Sequence, residues 1–248
     1  MSQAVPKRGV VQPDSVMRYR IPAGEAQGEL LVKRSTFLAT VGHASSVAAA
    51  REYISRARAA RRDAHHHAWA FRLTGGPHGL MGSSDDGEPG GTAGRPILAV
   101  LEASGLREVV AVVARRFGGI KLGTGGLVRA YGRVVREALG RLATAECVLH
   151  RTGRITVGYR LYASLEHVLA PLHHGVLARC GVIVEATTFA KEVTMLLAVP
   201  YESARQVADA LRDMSSGQIA LDQCWLEDRY YVIEGRGPRH VARGSRVP

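Results

Sequence analysis

The sequence lacks most of what marks an exported, disulfide-built or membrane-spanning chain. Its 248 residues include only three cysteines, Cys147, Cys180 and Cys224, far apart and without a CxxC pair. Neither a disulfide framework nor a zinc knuckle is therefore indicated, and a reducing, cytoplasmic setting is expected. No stretch approaches the roughly 18 uninterrupted apolar residues of a membrane span, and the opening MSQAVPKRGVVQPDSVMRYR has no apolar signal-peptide core. Neither export nor a membrane partner is expected. Nucleophile signatures are missing as well: there is no GxSxG, and the cysteines sit in apolar surroundings without an adjacent histidine. Acid is the minority charge, with 22 Asp and Glu against 33 Lys and Arg, a net charge of +11 and a pI near 10.1. That balance favours encounter with polyanions.

What is present is a globular chain, 46% hydrophobic, of a length that suggests two domains. Residues 1–25 mix Pro, Gly, Gln and Ser without periodicity and read as a flexible leader. Leu30 to Val41 reads as a strand. Ser45 or Ser46 then caps an amphipathic helix over VAAAREYISRARAARR. HHHAWAFRLT alternates as a strand does, Gly75 to Gly91 reads as a loop, and the Thr92 hydroxyl is placed to cap AGRPILAVLEASG, with Pro96 in its first turn. The β-branched run EVVAVVARRF predicts a buried strand, and GGIKLGTGG leads into a helix over LVRAYGRVVREALGRL. From about residue 150 the pattern restarts as β-α-β-β-α-β, the ferredoxin-like order, with QIALDQC as its last strand and Pro171 interrupting its first helix. The expectation is an α+β protein with domains over 26–145 and 150–226 and a basic flexible tail over 227–248.

Three carboxylates, Asp85, Asp86 and Glu88, fall close together in SSDDGEPGGTAG. Oxygen donors of this kind suit Mg²⁺ or Ca²⁺, although the spacing fails the EF-hand pattern, and Asp85 and Asp86 are the nearest thing to metal ligands here. The alternative is structural: Asp in a Gly/Pro loop commonly bonds backbone N–H groups. At GGTAG, Thr92 and Gly94 stand at a helix start that could receive an anion. The second glycine-rich turn has Gly118 and Gly123 at P-loop separation, but Thr124 occupies the lysine position; a dinucleotide fingerprint through Gly123 and Gly125 fails at Val128. What survives is a turn with Lys121, Thr124 and Arg129 suited to phosphate, or glycines serving only close packing and positive φ. His65 and His67 would share one face of a strand while His66 takes the other, so three-point metal ligation by this run is not expected.

These residues resemble the signature of the YigZ/IMPACT family, which joins an SSDDGEPSGTAG-like loop to an RYFGGIKLGAGGLVRAY-like turn. Here the two stand as SSDDGEPGGTAGRP at Ser83–Pro96 and RRFGGIKLGTGGLVRAY at Arg115–Tyr131, and the similarity covers roughly residues 28–140. The resemblance implies a first domain similar to domain IV of elongation factor G and to the second domain of a small-subunit ribosomal protein, followed by a ferredoxin-like domain. It also implies a role in translation, which eukaryotic relatives regulate by competing for the activator of a starvation-sensing initiation-factor kinase. A proline-dipeptidase label carried by some relatives finds no metallopeptidase ligand set in this chain. The matched positions are Asp85, Asp86, Gly87, Glu88, Pro89, Thr92 and Gly94, then Arg115, Phe117, Gly118, Gly119, Lys121, Gly123, Gly126, Arg129 and Tyr131. Gly90 replaces the usual serine, Arg116 an aromatic, and Thr36 a common basic residue.

The expected function is RNA or ribosome association in translation or its regulation. Thr92, Gly94, Arg115, Gly118, Gly119, Lys121, Gly123, Thr124, Gly126, Arg129 and Tyr131 would form the anion-binding surface, and Asp86 or Glu88 would pair with Arg115 or Lys121. One alternative is a metal-dependent hydrolase with Asp85, Asp86 and Glu88 around a divalent ion and His66 as acid/base. Another is a protein-interaction module docking through the ferredoxin-like domain. No cofactor is otherwise expected.

Overall fold

The computed structural model describes residues 17–74, 79–169, 180–234 and 237–240. It divides into one unit of Tyr19–Glu146 and a second built mainly from Cys147 onward.

In the first unit, a five-stranded antiparallel sheet runs in the order β2 (Ala26–Val32), β3 (Ser35–His43), β6 (Val109–Arg116), β4 (His66–Leu73), β5 (Leu80–Ser84). The β-branched run falls on the central strand β6, where every residue but the last is buried, because helices cover both sheet faces. Helices α2 (Gly94–Ala103) and α3 (Thr124–Leu139) pack Ile97, Leu101, Tyr131, Val134 and Val135 onto Phe37, Ala39, Val41, Ala111 and Val113. On the other face, α1 (Val47–Ala60) packs Ala50, Tyr53 and Ile54 onto Phe71, Val110 and Val112. Of the two candidate caps for α1, Ser46 is used: its Oγ accepts from the Ala49 N–H at 3.1 Å.

The single strand expected over Leu30–Val41 is a hairpin. Val32 pairs with Ser35, and Lys33 and Arg34 form its two-residue turn with φ of 45° and 64°. Such turns require positive φ at both positions and usually carry Asn-Gly, so Lys-Arg gives no signal. The loop expected over Gly75–Gly91 contains β5, paired with β4 from Trp69↔Ser84 to Leu73↔Leu80. The flexible leader contains the strand β1 (Arg18–Pro22), in which Tyr19 and Ile21 are buried.

The second unit carries the expected ferredoxin-like arrangement. Its strands β7 (Thr144–Val157), β8 (Ile183–Phe189), β9 (Val193–Pro200) and β10 (Trp225–Glu234) stand in the order β10-β7-β9-β8, with β11 (Gly237–His240) beside β10. Helices α4 (Tyr159–Leu169) and α5 (Ala204–Met214) bury Leu165, Val207 and Leu211 against Ile155, Val193, Met195 and Leu197. Pro171 lies outside the described residues. The last strand is misplaced in the sequence reading. In QIALDQC, Ile219 and Leu221 are both buried, which mimics strand alternation, but the segment enters a 3-10 turn at Leu221–Gln223 and the strand follows at Trp225–Glu234, running on into the expected tail.

His150, buried in β7, donates from Nδ1 to the Val148 carbonyl at 3.0 Å and lies 4.7 Å from the Tyr231 ring. Burial pushes its imidazole below the ordinary value and Arg18 acts in the same sense, outweighing the backbone groups of Val148 and Gly181 and the Glu185 carboxylate. The unfolded chain takes up this proton near pH 6.5, so stability contributed by neutral His150 is lost as pH falls from about 6.5 towards the folded value. The urea midpoint of the wild type should therefore drop between pH 7.5 and 5.5 by more than that of His150→Gln. Equal drops would remove His150 as the cause.

Candidate nucleic-acid interface

The acidic loop is built around backbone demands. Asp86 and Gly87 turn the chain with φ of 47° and 85° immediately after β5. The Asp85 carboxylate folds forward, accepting from the Gly91 N–H on Oδ2 at 2.8 Å and from the Ala93 and Gly94 N–H groups on Oδ1 at 2.9 and 2.8 Å. It thus closes the N-terminus of α2 with negative charge against the helix dipole. Burial pushes its pKa up, but these three bonds and Arg95 outweigh that and hold it below the ordinary carboxylate range. Thr92 is not the cap: its hydroxyl donates to the Pro89 carbonyl at 2.6 Å, and α2 begins after Ala93 without a cap from its own side chain. Gly94 offers an anion no N–H either, because that group already donates to Asp85 Oδ1, and its Cα packs so closely that an added Cβ would lie 2.8 Å from the Ser84 backbone.

Asp86 holds the loop to its neighbours. One oxygen binds Arg58, the other accepts from the His67 N–H at 2.6 Å, and its carbonyl accepts from His66 Nδ1 at 2.9 Å. Glu88 points inward. Arg115 donates from Nη1 to both its oxygens at 2.7 and 2.8 Å, and the Tyr131 hydroxyl donates to Oε1 at 2.6 Å. The pair is almost sealed, with Arg115 and Glu88 side chains 6% and 2% exposed. The Arg115 guanidinium lies between two rings, 5.3 Å from the Phe37 centroid and 5.5 Å from that of Phe117. Burial and the Glu88 carboxylate drive the Tyr131 phenol far above its ordinary value, so it remains a donor.

The metal reading does not fit this placement. Each carboxylate is turned to its own protein partners, and the described residues contain no group of three or more His, Cys, Asp or Glu able to hold an ion. His66 faces the Asp86 carbonyl rather than a shared carboxylate centre. Four residues expected in the anion-binding surface are likewise internal: Thr92, Gly94, Arg115 and Tyr131 are buried. Of the expected pairings, Glu88 with Arg115 is the one formed.

The second glycine turn is different. Gly118 lies directly on the β2–β3 hairpin tip: a Cβ there would fall 2.0 Å from the Arg34 carbonyl oxygen, and the Gly118 N–H donates to Ser35 Oγ at 3.2 Å. Gly119 and Gly123 take φ of 84° and 73°. Helix α3 then starts at Thr124 with no side-chain cap and no acid in its first turn. Arg129 folds back over that turn, its Nη1 3.7 Å from the Cβ position of Gly125, whereas Gly126 packs against Leu122. Lys121 and Arg129 are exposed and have no ion pair among the described residues. Lys33 and Arg34 at the adjoining tip are exposed as well, and sequence reasoning missed them because the hairpin itself was missed. Positions departing from the family pattern are accommodated simply. Gly90 has nothing within 4 Å of an added Cβ, and Arg116, opposite Thr36 in the sheet, pairs with Asp63 at 2.9 Å.

Comparison with known proteins supports the motif resemblance. The Impact N-terminal domain model matches residues 33–139. The IMPACT family member YigZ of Escherichia coli is 35% identical over 205 residues, 82% of this chain and 96% of that protein. An IMPACT family member of Thermus thermophilus is 49% identical over 115 residues, 46% of this chain and 60% of that protein. A crystal structure described as that of a hypothetical protein aligns over 83% of this chain and 96% of its own, with 33% identity and a TM-score of 0.55. With its two signature motifs joined by the Glu88–Arg115–Tyr131 contacts and a relative matched over nearly its whole length, the chain belongs to the IMPACT family.

Proposed function

We propose that this is a cytoplasmic protein that associates with RNA or the ribosome and acts in translation or its regulation. The observation that carries the proposal is a sorting of charge around the two glycine turns. The acids Asp85, Asp86 and Glu88 are consumed within the fold, while Lys121, Arg129, Lys33 and Arg34 stand exposed and unneutralised by the described acids around the uncapped start of α3. Cations with free backbone N–H groups suit a phosphate backbone, and the net charge of +11 draws such a partner in. The translational assignment draws on the family resemblance.

Each phosphate contact releases counterions, contributing about 0.7–0.9 to the slope of log affinity against log salt. Neutralising Lys121 and Arg129 to alanine should therefore weaken RNA binding and flatten that slope by about 1.4–1.8, measured by anisotropy between 50 and 200 mM salt. Unchanged affinity and slope would remove this surface from the interface.

A protein-docking reading has one specific observation in its favour. On the ferredoxin-like unit, Tyr159 and Phe189 stack with centroids 6.5 Å apart, and both are largely exposed. Copurification of a defined protein after nuclease treatment, lost in Phe189→Ser, would favour it over RNA.

A further inference from the structure

Resting on that RNA reading, we propose that Phe117 is a stacking platform for an unpaired base, so that this surface takes single-stranded rather than duplex RNA. Phe117 is 41% exposed, while Phe37 and Phe71, the other phenylalanines of the first unit, are buried. It is not loose. The Arg115 guanidinium lies 5.5 Å from its centroid and is itself fixed by two bonds to Glu88. The Phe117 N–H donates to His65 Nδ1 at 3.2 Å, and the next residue, Gly118, is wedged against Arg34. A ring held this way stands in solvent without the side-chain entropy that docking would otherwise remove.

Its surroundings supply the rest of a single-strand site. The tip cations Lys33 and Arg34 adjoin Gly118, and Lys121 follows four positions after the ring in the same turn. Aromatic faces next to a cationic track bind unpaired bases with little sequence preference, because every base has a π-face, whereas a duplex keeps those faces stacked. The competing explanation for Phe117 is that it merely shields the Arg115–Glu88 pair. A branched aliphatic side chain preserves the shield and removes the π-face, which separates the two.

The test uses a 12-residue oligouridine, an abasic ribose-phosphate oligomer of the same length, and the full chain. One stacked base is worth about tenfold in affinity, so the wild type should prefer the oligouridine by about that factor. Phe117→Leu should bring the preference close to one with the melting temperature unchanged, and Phe117→Trp should retain it. Lys121→Ala should weaken both oligomers alike. Should the leucine variant melt early, Phe117→Met is measured in its place with the same expectation. An undiminished preference in the aliphatic variant would overturn stacking and leave the RNA reading standing. No binding of either oligomer by the wild type would overturn both.

Discussion

Replacing Glu88 with alanine is expected to destabilise the first unit by about 3–5 kcal/mol, the cost of leaving one member of a buried ion pair without its partner. The Arg115 guanidinium cannot turn to water, because Phe37 and Phe117 flank it and its side chain is nearly sealed. The Tyr131 hydroxyl, on a fully buried ring, loses its acceptor at the same time. For a unit of this size the melting temperature should fall by about 10–20 °C. Glu88→Gln keeps an acceptor without the charge and should fall between. The double change Glu88→Leu with Arg115→Met, which removes both charges, should recover part of the loss. Wild-type melting in Glu88→Ala would mean that the pair contributes nothing to the fold.

Loss of the Asp85 carboxylate should have the second-largest effect. It satisfies three of the backbone N–H groups leading into α2, so Asp85→Ala is expected to cost about 2 kcal/mol, the upper end of the range for a lost helix cap. The pH dependence follows from its depressed pKa. The unfolded chain protonates this group near pH 3.9, above the folded value, so its contribution is fully present above pH 4 and disappears as pH falls through the folded pKa. Urea unfolding at pH 7 and pH 3 should show the wild type losing more stability on acidification than Asp85→Asn. Parallel losses would show that Asp85 is not the titrating group.

Much of this architecture is legible from periodicity. The run Val109–Arg116 announces a doubly covered strand, and the amphipathic patterns of α1, α3 and α5 are plain. What escapes the sequence is structure set by distant partners. The rules for helix caps look two or three residues ahead, whereas Asp85 reaches N–H groups six to nine positions on, and the expected cap Thr92 is drawn off by the Pro89 carbonyl. Lys33 and Arg34 turn a hairpin with residues that favour no turn, because the flanking strands impose the positive φ. In the site, the pairing of Glu88 with Arg115 is foreseeable from charge. That it is buried under Tyr131, 43 positions away, is a product of packing α3 on the sheet, and it moves Arg115 from the surface to the core.

The central claim is that a basic surface around the second glycine turn carries the protein to RNA or the ribosome. Sedimentation of the tagged protein from cell lysate through a sucrose gradient tests it most directly, with and without RNase, beside the variant carrying Lys121→Ala and Arg129→Ala. The wild type is expected to migrate with a ribosomal subunit at moderate salt and to shift to the top after RNase, while the variant stays at the top throughout. Wild-type protein at the top of every gradient, or a variant that sediments as the wild type does, would contradict it.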